Sequence, residues 1–321
     1  MWDHIKNRGD HGAECWALDW IQFLPAKRES RRYIGAHVLT QCDIDAGGHF
    51  DDIVAYGGWP MDDHDSAGFW SARCGRPSTV FHPTPSPYGI PLRSLYSKAV
   101  PNLLFAGRCA SCTHLAMSST RVMGTAASMG QAAGTVAAIA LARGRALGDF
   151  DAVDIRCTQQ LLLRDDAYLP GIRQDFSSLT QHARLEASSG DPEPLRDGIN
   201  RPVGNVSHAW ECRVDDWVAY HFDSPQFVTE LSVTFDSALD RLLCMSELQA
   251  DDQMTEIPGQ MVRSLRVDLF DGEHWGTLRT VRANHQRFVR LPVHARTQGV
   301  RLAIDSTWGT PQTRLYAFHV E

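Results

Sequence analysis

The 321-residue chain has the composition of an ordinary globular protein, with 43% hydrophobic and 21% charged residues and a formal net charge of −7. This composition excludes a disordered chain, a collagen-like chain and a disulfide scaffold. The acidic balance argues against nucleic acid as a partner. We also expect no membrane span, because no apolar stretch approaches the roughly 18–20 uncharged residues that one requires.

The N-terminus and the cysteines indicate a cytoplasmic protein. The first residues contain no apolar segment of the kind that a secretory signal needs. The eight cysteines are scattered through a chain of ordinary size. They are therefore expected to be reduced thiols rather than a disulfide framework.

The length and the distribution of residue types predict two domains joined by a linker. Residues 1–170 mix strand-like and helix-like patterns. Residues 171–200 are rich in Ser, Pro and polar residues and show little apolar periodicity, which is typical of a linker. Residues 201–321 show the alternating pattern of β-strands.

The first domain is expected to be of the α+β or α/β type. Apolar runs at 33–40 and 52–56 predict strands, and the run at 102–106 predicts a buried strand that ends at Gly107. A stretch rich in Ala, Gly and Met predicts a buried helix from about Met123 to Arg143, ending at Gly144. Gly130 and Gly134 weaken helix propensity, so we expect close backbone packing against them.

The second domain is expected to be an all-β sandwich of jelly-roll type. Four apolar-polar alternations predict strands around 231–235, 265–269, 300–304 and 316–320. Turn-forming residues separate them at 223–225, 271–272, 298–299 and 309–311. Short strands with regularly spaced turns are typical of a sandwich of about 120 residues.

The segment from about residue 102 to 143 has the order of a ligand site: strand, glycine, small polar loop and helix. Unpaired N–H groups and the positive dipole end at a helix N-terminus favour an anionic or electron-rich group. The same order is also found where a helix simply packs on a sheet.

Several ordered motifs resemble the C-terminal flavin-binding stretch of the bacterial FAD-dependent oxidoreductases. The resemblance covers about residues 1–170. It rests on the following motifs: Glu29–Tyr33, Leu39–Gln41 with Asp43, Gly57–Trp59, Asp62 with His64, Tyr88–Leu95, Asn102–Arg108, Thr113–His114, Ser119–Met123 and Met129–Gly134.

The GxGxxG turn that holds the ADP half of FAD in this family is absent from the sequence. The resemblance therefore implies a chain that contributes only the second half of an FAD site. A partner subunit carrying the ADP-binding half would complete it. A truncated product and a remnant without flavin are the alternatives.

The resemblance implies cofactor-binding roles for two groups of residues. Gly107 and Arg108 would close the strand against FAD. Arg121, Val122, Gly124, Thr125 and Ala126 would form the turn and helix start that face the flavin pyrimidine ring, where a helix N-terminus stabilises negative charge on reduced flavin. A structural cap or carboxylate pair is the alternative for Arg121.

Two histidines and Arg121 are the catalytic candidates. His64 lies among Asp62, Asp63 and Asp65, whose carboxylates would orient its ring, and His114 lies between the strand end and the helix. The alternative is that each histidine is solvated or a hydrogen-bonding partner in the core. His4, His11, His37, His49 and His82 have no comparable surroundings.

Cys109 and Cys112 form a CxxC motif followed by His114. A structural zinc site needs about four ligands and no second CxxC is present, so no metal site is predicted. Packing of small residues is favoured, with a metal or redox role as the alternative.

The second domain resembles a galactose-binding-like, discoidin-type module through Asp216–Pro225, Leu231–Ser237 and Arg314–Phe318. Trp210, Trp217, Trp275 and Trp308 could stack on sugars, although strand-borne aromatics are more often core residues. Two functions follow. One is an oxidoreductase that passes hydride from a small polar, possibly carbohydrate, substrate to FAD. The other is a non-catalytic glycan-binding or scaffold protein with a truncated flavin domain.

Overall fold

The computed structural model describes residues 1–23, 31–241 and 254–321. Glu29 and Ser30 of the first family motif, and Cys244, lie outside the described residues. The α-helices are α1 (Trp2–Asn7), α2 (Gln41–Asp45), α3 (His114–Thr120), α4 (Met123–Arg143), α5 (Ala152–Arg164) and α6 (Ser178–His182). The strands are β1 (Ile53–Gly57), β2 (Met61–His64), β3 (Thr79–His82), β4 (Tyr88–Pro91), β5 (Arg184–Ala187), β6 (Trp210–Arg213), β7 (Trp217–Phe235), β8 (Val262–Phe270), β9 (Trp275–Val281), β10 (Phe288–Thr307) and β11 (Gln312–Val320).

The first domain is built around the antiparallel β1–β4 pair, against which α4 and α5 pack. Gln159 of α5 donates from Nε2 to the backbone oxygens of Asp51 and Ile53 at 3.0 and 3.1 Å, which ties the helix to the first strand. Asp52 is buried and accepts hydrogen bonds from the backbone and guanidinium of Arg93. A small sheet and two helices therefore share one core.

In the first domain, one expected strand and the expected helix are confirmed, whereas the other two expected strands do not form continuous strand pairs. The strand at 52–56 is β1, and α4 has the expected ends, with Gly144 at φ +61° as its C-cap. Residues 33–40 and 102–106 form only isolated bridges. Neither run is buried along its length, since Tyr33, Ile34 and Leu103 are each at least 38% exposed, so the strand expected at 102–106 is neither a ladder strand nor fully buried. A short apolar run fits irregular backbone as well as it fits a strand, so periodicity alone could not separate the two.

The outer face of α4 is open, which corrects the explanation of its glycines. A Cβ built on Gly124, Gly130 or Gly134 would meet no atom within 4 Å in the described structure. The opposite face carries Thr125, Met129, Ala132, Val136 and Ile139 into the core. Gly130 and Gly134, four residues apart, therefore form an open stripe on one face of the helix rather than a packed contact, and Gly124 is exposed near the helix start.

Helix α4 contradicts the expectation that no uncharged stretch approaches the length of a membrane span. It is 21 residues long, and by length and composition it could cross a membrane. Glycine, serine and threonine make this helix only moderately apolar, so apolar residues alone do not single it out. One such helix is a weak indication, since a core helix passes the same test.

The second domain is an antiparallel β-sandwich, as predicted. Its seven described strands follow the order β6-β11-β7-β10-β8-β9, and β5 pairs with β7. The two long strands, β7 and β10, pair with each other along most of their length. Alternate residues of these strands are buried in one core, for example Leu231, Val233 and Phe235 of β7 and Val300 and Leu302 of β10.

Two of the expected turns are bends within these long strands. Residues 223–225 lie inside β7 and residues 298–299 inside β10, opposite each other, where the pairing register shifts. A Cβ on Gly299 would lie 2.8 Å from the backbone oxygen of Tyr220, so this close approach requires glycine. The turn-forming residues thus mark a β-bulge. The turns at 271–272 and 309–311 are confirmed.

The segment expected to be a linker contributes to the sandwich. Within residues 171–200, β5 pairs with β7 and Leu195 is fully buried in the sandwich core. Ser188 and Ser189 donate from their hydroxyls to the Asp216 carboxylate at 2.9 and 2.7 Å. Polar side chains made the segment look like a linker, but they are used in internal hydrogen bonds.

Ion pairs connect the two halves of the chain. Arg164 at the end of α5 pairs with Glu321 at 2.6 Å, and Asp166 pairs with Arg287 at 2.9 Å. The side chain of Asp166 is 14% exposed and that of Arg287 is 15% exposed. The junction is therefore built from fixed side chains.

Candidate functional site

The three predicted catalytic side chains meet at the β2–β3 hairpin. Helix α3 packs against β2 and begins at His114, with the Thr113 hydroxyl accepting a hydrogen bond from the Ala116 N–H. Arg121 follows the last turn of α3. Because β2 carries Asp62, Asp63 and His64 in succession, its carboxylates reach all three candidates.

His64 is held at both ring nitrogens. Its Nε2 lies 3.3 Å from Asp62 Oδ2, and its Nδ1 lies 3.1 Å from the Thr79 hydroxyl. Thr79 is opposite His64 in the β2–β3 register. The ring is 41% exposed, so it is fixed in direction but open to solvent.

His114 contacts the neighbouring carboxylate. Its Nε2 lies 2.9 Å from Asp63 Oδ1, and its side chain is 49% exposed. A carboxylate at Nε2 favours the tautomer with the proton on that nitrogen. The lone pair of the neutral ring is then on Nδ1.

Arg121 contacts Asp62 through both the backbone and the side chain of that residue. Its Nη2 donates to the backbone oxygen of Asp62 at 2.7 Å and lies 3.5 Å from Asp62 Oδ2, and the side chain is only 12% exposed. Asp62 Oδ1 is buried and accepts no hydrogen bond from the described residues. A buried carboxylate oxygen without a donor is unusual and suggests that a further group belongs here.

The predicted cofactor-binding residues lie at the start of α4. Val122 is its N-cap and supplies no side-chain cap, Gly124 is exposed, and Thr125 is buried. Gly107 has φ +57°, and a Cβ there would lie 3.3 Å from the Ala126 methyl group. Arg108 is exposed on the same 3-10 turn. These residues form a small-residue surface at an uncapped helix start.

A buried hydrogen-bond chain behind this surface was missed by sequence reasoning. The Tyr88 hydroxyl lies 2.5 Å from the Ser119 hydroxyl, which donates to the Trp59 backbone oxygen. Burial raises the pKa of Tyr88 to about 12. A Cβ on Gly57 would lie 2.4 Å from the Tyr88 ring, so Gly57 is required for this packing. The only sequence signal was the presence of these residues in the family motifs.

The cysteines and the N-terminal histidines take no part in this site. Cys109 is exposed, Cys112 is buried, and both are free thiols. Burial raises the pKa of Cys112 to about 11, which agrees with a packing role. His4, Asp10 and His11 bring their ligand atoms within 4.8 Å of one another on the surface, a grouping that sequence spacing did not suggest.

The residues present fit the ring end of FAD but not its ADP end. A side chain at Gly124 would meet no atom within 4 Å, which leaves space for a flat group, and the N–H groups at the start of α4 suit negative charge. Asp62, whose Oδ1 has no donor among the described residues, is bound by Arg121, which directly precedes the N-cap of α4. For the pyrophosphate, the sequence supplies no GxGxxG cradle.

The sandwich has a polar groove of its own. It is about 640 Å³ in volume and is lined by Glu211, Arg213, Gln260, Gln312 and Arg314, among others. Of the four tryptophans, Trp210 is fully buried, as expected for a core residue. Arg301 lies 4.6 Å from the centre of the Trp275 ring and 5.9 Å from that of Trp217, and Arg263 lies 5.0 Å from that of Trp308.

Comparison with solved structures finds carbohydrate-binding modules at low similarity. One is the chitosan-binding module 1 of a chitosanase/glucanase from Paenibacillus sp. IK-5, with 16% identity, 43% of this chain and 94% of that chain covered, and a TM-score of 0.31. Another is the family 32 module of EndoD from Streptococcus pneumoniae, with 14% identity, 45% and 99% covered, and a TM-score of 0.33. A fucose binding module from the same species has 13% identity, 46% and 98% covered, and a TM-score of 0.33. Because these TM-scores are low, we assign the sandwich fold from the strand pairing of this chain and not from the similarity.

No curated protein matches the chain. The model of one family, described as FAD dependent oxidoreductase, matches residues 1–162. This match includes the β2–β3 hairpin, α3, the start of α4 and every predicted site residue. Because it spans just over half of the sequence, the chain belongs to the FAD dependent oxidoreductase family.

Proposed function

We propose that the chain is one component of an FAD-dependent oxidoreductase that passes hydride from a carbon atom of a small polar substrate to flavin. The observation that carries the proposal is the convergence of His64, His114 and Arg121 on Asp62 and Asp63, beside the start of α4. When bound, FAD supplies the hydride acceptor. The chain's own residues would bind and orient the substrate and move its proton.

His114 is our candidate for the proton acceptor. Asp63 orients its ring and stabilises the charged form that proton transfer creates, as a carboxylate does for a catalytic histidine. His64 contacts Thr79 at one ring nitrogen and Asp62 at the other. We therefore assign His64 mainly to holding Asp62 in place.

Arg121 would bind negative charge on the substrate or on the reduced cofactor. Its contact with the Asp62 backbone oxygen fixes the guanidinium, so little side-chain entropy is lost when a ligand binds. A cation fixed in this way favours a transition state in which negative charge develops nearby.

We further propose that a partner polypeptide carrying the ADP-binding half completes the site. Exposed large apolar side chains are concentrated in the family-matched half of the described chain, with Trp16, Trp20, Phe23, Met123 and Leu141 each at least 69% exposed. The open stripe lies on the same helix, α4, whose start carries the predicted cofactor-binding residues. Exposed apolar surface of this extent is typical of an interface.

Flavin content tests the partner requirement. After incubation with FAD and removal of the unbound cofactor, the purified chain alone should retain little flavin absorbance. The chain mixed with the partner half should retain bound flavin. Gly130→Leu on the open stripe should weaken this retention. Gly276→Leu on β9, where a side chain also meets no atom within 4 Å, is the control. Tight, near-stoichiometric FAD on the isolated chain would contradict the proposal.

Turnover of the completed enzyme tests the chemistry. His114→Ala should lower the rate by about 10²–10⁴-fold with flavin content unchanged, the range expected for loss of a general base. Arg121→Ala should also lower the rate. His82→Ala, in the same hairpin, is the control. Full activity in both variants would remove this site assignment.

The sandwich supports a second candidate function, glycan binding. The observation that favours it is the polar groove, whose Gln260, Gln312 and Arg213 side chains suit sugar hydroxyls. A carbohydrate would then be the substrate of the oxidoreductase or, in a non-catalytic protein, its ligand. Screening the chain against a glycan array, with Gln312→Ala as the variant, tests this function.

A further inference from the structure

A second cavity lies at the junction between the two halves of the chain. Its volume is about 250 Å³. Strand β1, helices α4 and α5, the segment after α5 and Arg201 all contribute to its wall. The residues that matter here are Tyr56, Gly124, Ser128, Asp166, Tyr168 and Arg201.

The charged groups around this cavity carry a surplus of positive charge. Arg201 and Asp166 both line the cavity, and Arg287, which is not a lining residue, pairs with Asp166, so the three-residue cluster has a formal charge of +1. The other titratable groups acting on Arg201 are the phenols of Tyr56 and Tyr168. A partly buried cluster of this kind is stabilised when an anion binds beside it.

Arg287 cannot supply the contact with such an anion, because the structure uses its donors. Its Nε donates to Asp166, its Nη1 to the Phe235 backbone oxygen and the Ser237 hydroxyl, and its Nη2 to the Asn200 backbone oxygen. Arg287 therefore fixes Asp166 and Asn200, the two residues on which Arg201 rests.

Arg201 is held in place but retains donors. Its Nε donates to Asn200 Oδ1 at 3.0 Å and its Nη2 to the Asp166 backbone oxygen at 3.1 Å. The guanidinium lies 4.8 Å from the centre of the Tyr168 ring. Within the described part of the chain its Nη1 makes no hydrogen bond, although a guanidinium has five N–H donors.

The electrostatics of Arg201 agree with this geometry. Burial and the nearby Arg287 lower the pKa of the Arg201 guanidinium, and Asp166 offsets this only in part. An anion in the cavity would remove this penalty. The start of α4 adds to the positive field, because Gly124 lines the cavity one residue after the helix begins without a side-chain cap.

We propose that this cavity binds a small organic anion, a carboxylate or a phosphate ester, through Arg201. The guanidinium offers the paired donors that suit either group. The rings of Tyr56 and Tyr168, whose centres lie 5.3 Å apart in an edge-on arrangement, give the ligand's body an aromatic wall. Tyr56, Tyr168 and Arg201 are not among the predicted cofactor-binding residues, so the site can be tested on the chain as it is.

Isothermal titration of the full chain with benzoate and with inorganic phosphate, at constant ionic strength, tests the proposal. We expect saturable binding of at least one of these anions, and the tighter one identifies the chemical group. Arg201→Met should weaken it by about 10- to 100-fold, the range for losing charge-assisted hydrogen bonds. Arg290→Met is the control, because Arg290 lies at the same junction but pairs with Asp165 and Glu230 outside the cavity.

A second variant keeps the test decisive if Arg201→Met does not fold. Ser128→Leu places apolar bulk in the cavity without changing the charge cluster, and it should abolish binding while the melting temperature is retained. Absence of saturable binding to both anions in the unmodified chain would overturn the proposal. So would equal affinity in the unmodified chain and in the Ser128→Leu variant.

Discussion

Replacing Leu195 by Ala tests whether residues 171–200 belong to the sandwich core. Leu195 is fully buried within that core, on the 3-10 turn Glu193–Arg196. Arg196 anchors this turn by donating to the backbone oxygens of Thr180 and Ala183 at 3.0 and 2.9 Å. The surroundings are therefore fixed and cannot collapse freely into the space that the truncation leaves.

The expected loss follows from the buried groups removed. At about 0.8 kcal/mol for each buried CH₂, the transfer contribution of Leu195→Ala is roughly 2 kcal/mol. The cavity left in a rigid site raises the total to about 2–5 kcal/mol. Leu278→Ala on β9, where the side chain is 41% exposed, should cost under about 1 kcal/mol.

Urea denaturation followed by far-ultraviolet circular dichroism measures both free energies of unfolding. A midpoint that falls clearly for Leu195→Ala and little for Leu278→Ala supports a core role for the segment. If the two variants lose the same small amount, the segment is a linker and the reasoning is wrong.

Three further predictions follow from single contacts. Gly57→Ala should destabilise the chain by about 1–3 kcal/mol because its methyl group would collide with the Tyr88 ring. Gly130→Ala should stabilise it by about 0.5–1 kcal/mol, because Gly130 lies in a helix and its methyl group would meet no atom within 4 Å. The melting temperatures of the two variants should therefore shift in opposite directions. Burial and the nearby Arg164 and Arg290 lower the pKa of His319 to about 4, so the unfolded chain binds a proton first as the pH falls. The free energy of unfolding should therefore drop by about 3 kcal/mol between roughly pH 6.5 and pH 4. Urea denaturation at a series of pH values should show a smaller drop for His319→Gln and an unchanged drop for His182→Gln, whose histidine is exposed. Iodoacetamide should modify the exposed Cys109 before the buried Cys112, and mass spectrometry showing equal labelling would contradict the packing described for Cys112.

The elements that sequence predicted well are those whose signals are local. The limits of α4 follow from a long run of helix formers closed by Gly144, and the strands of the sandwich follow from alternation over five or more residues. Both signals depend on the chain's own periodicity and need no knowledge of its neighbours.

The failures came where a residue's role depends on distant contacts. Turn-forming residues at 223–225 and 298–299 are used at a bend that exists only because β7 and β10 lie side by side. Ser188 and Ser189 have the polarity of linker residues, but both donate hydrogen bonds to the Asp216 carboxylate, which is distant in sequence. Gly130 and Gly134 suggested tight packing, and only the three-dimensional arrangement shows their face to be open.

The candidate site divides in the same way. His64, His114 and Arg121 were identified from local sequence and family motifs, and their approach to Asp62 and Asp63 is a property of the fold. Thr79 and Ser119 take part through contacts 15 and 60 residues away in sequence, which no spacing rule could supply. Arg201 lies outside the family-matched region altogether.

The bent strands β7 and β10 have a consequence for how the sandwich opens. Each strand continues through the bulge, so neither end of the sandwich can separate without breaking the ladder that also holds the other end. Amide hydrogens at Val218 and at Val233, on either side of the bend, should then exchange with solvent through the same global opening event. The sandwich is in this respect a single cooperative unit, and a ligand bound at one end should slow exchange at both.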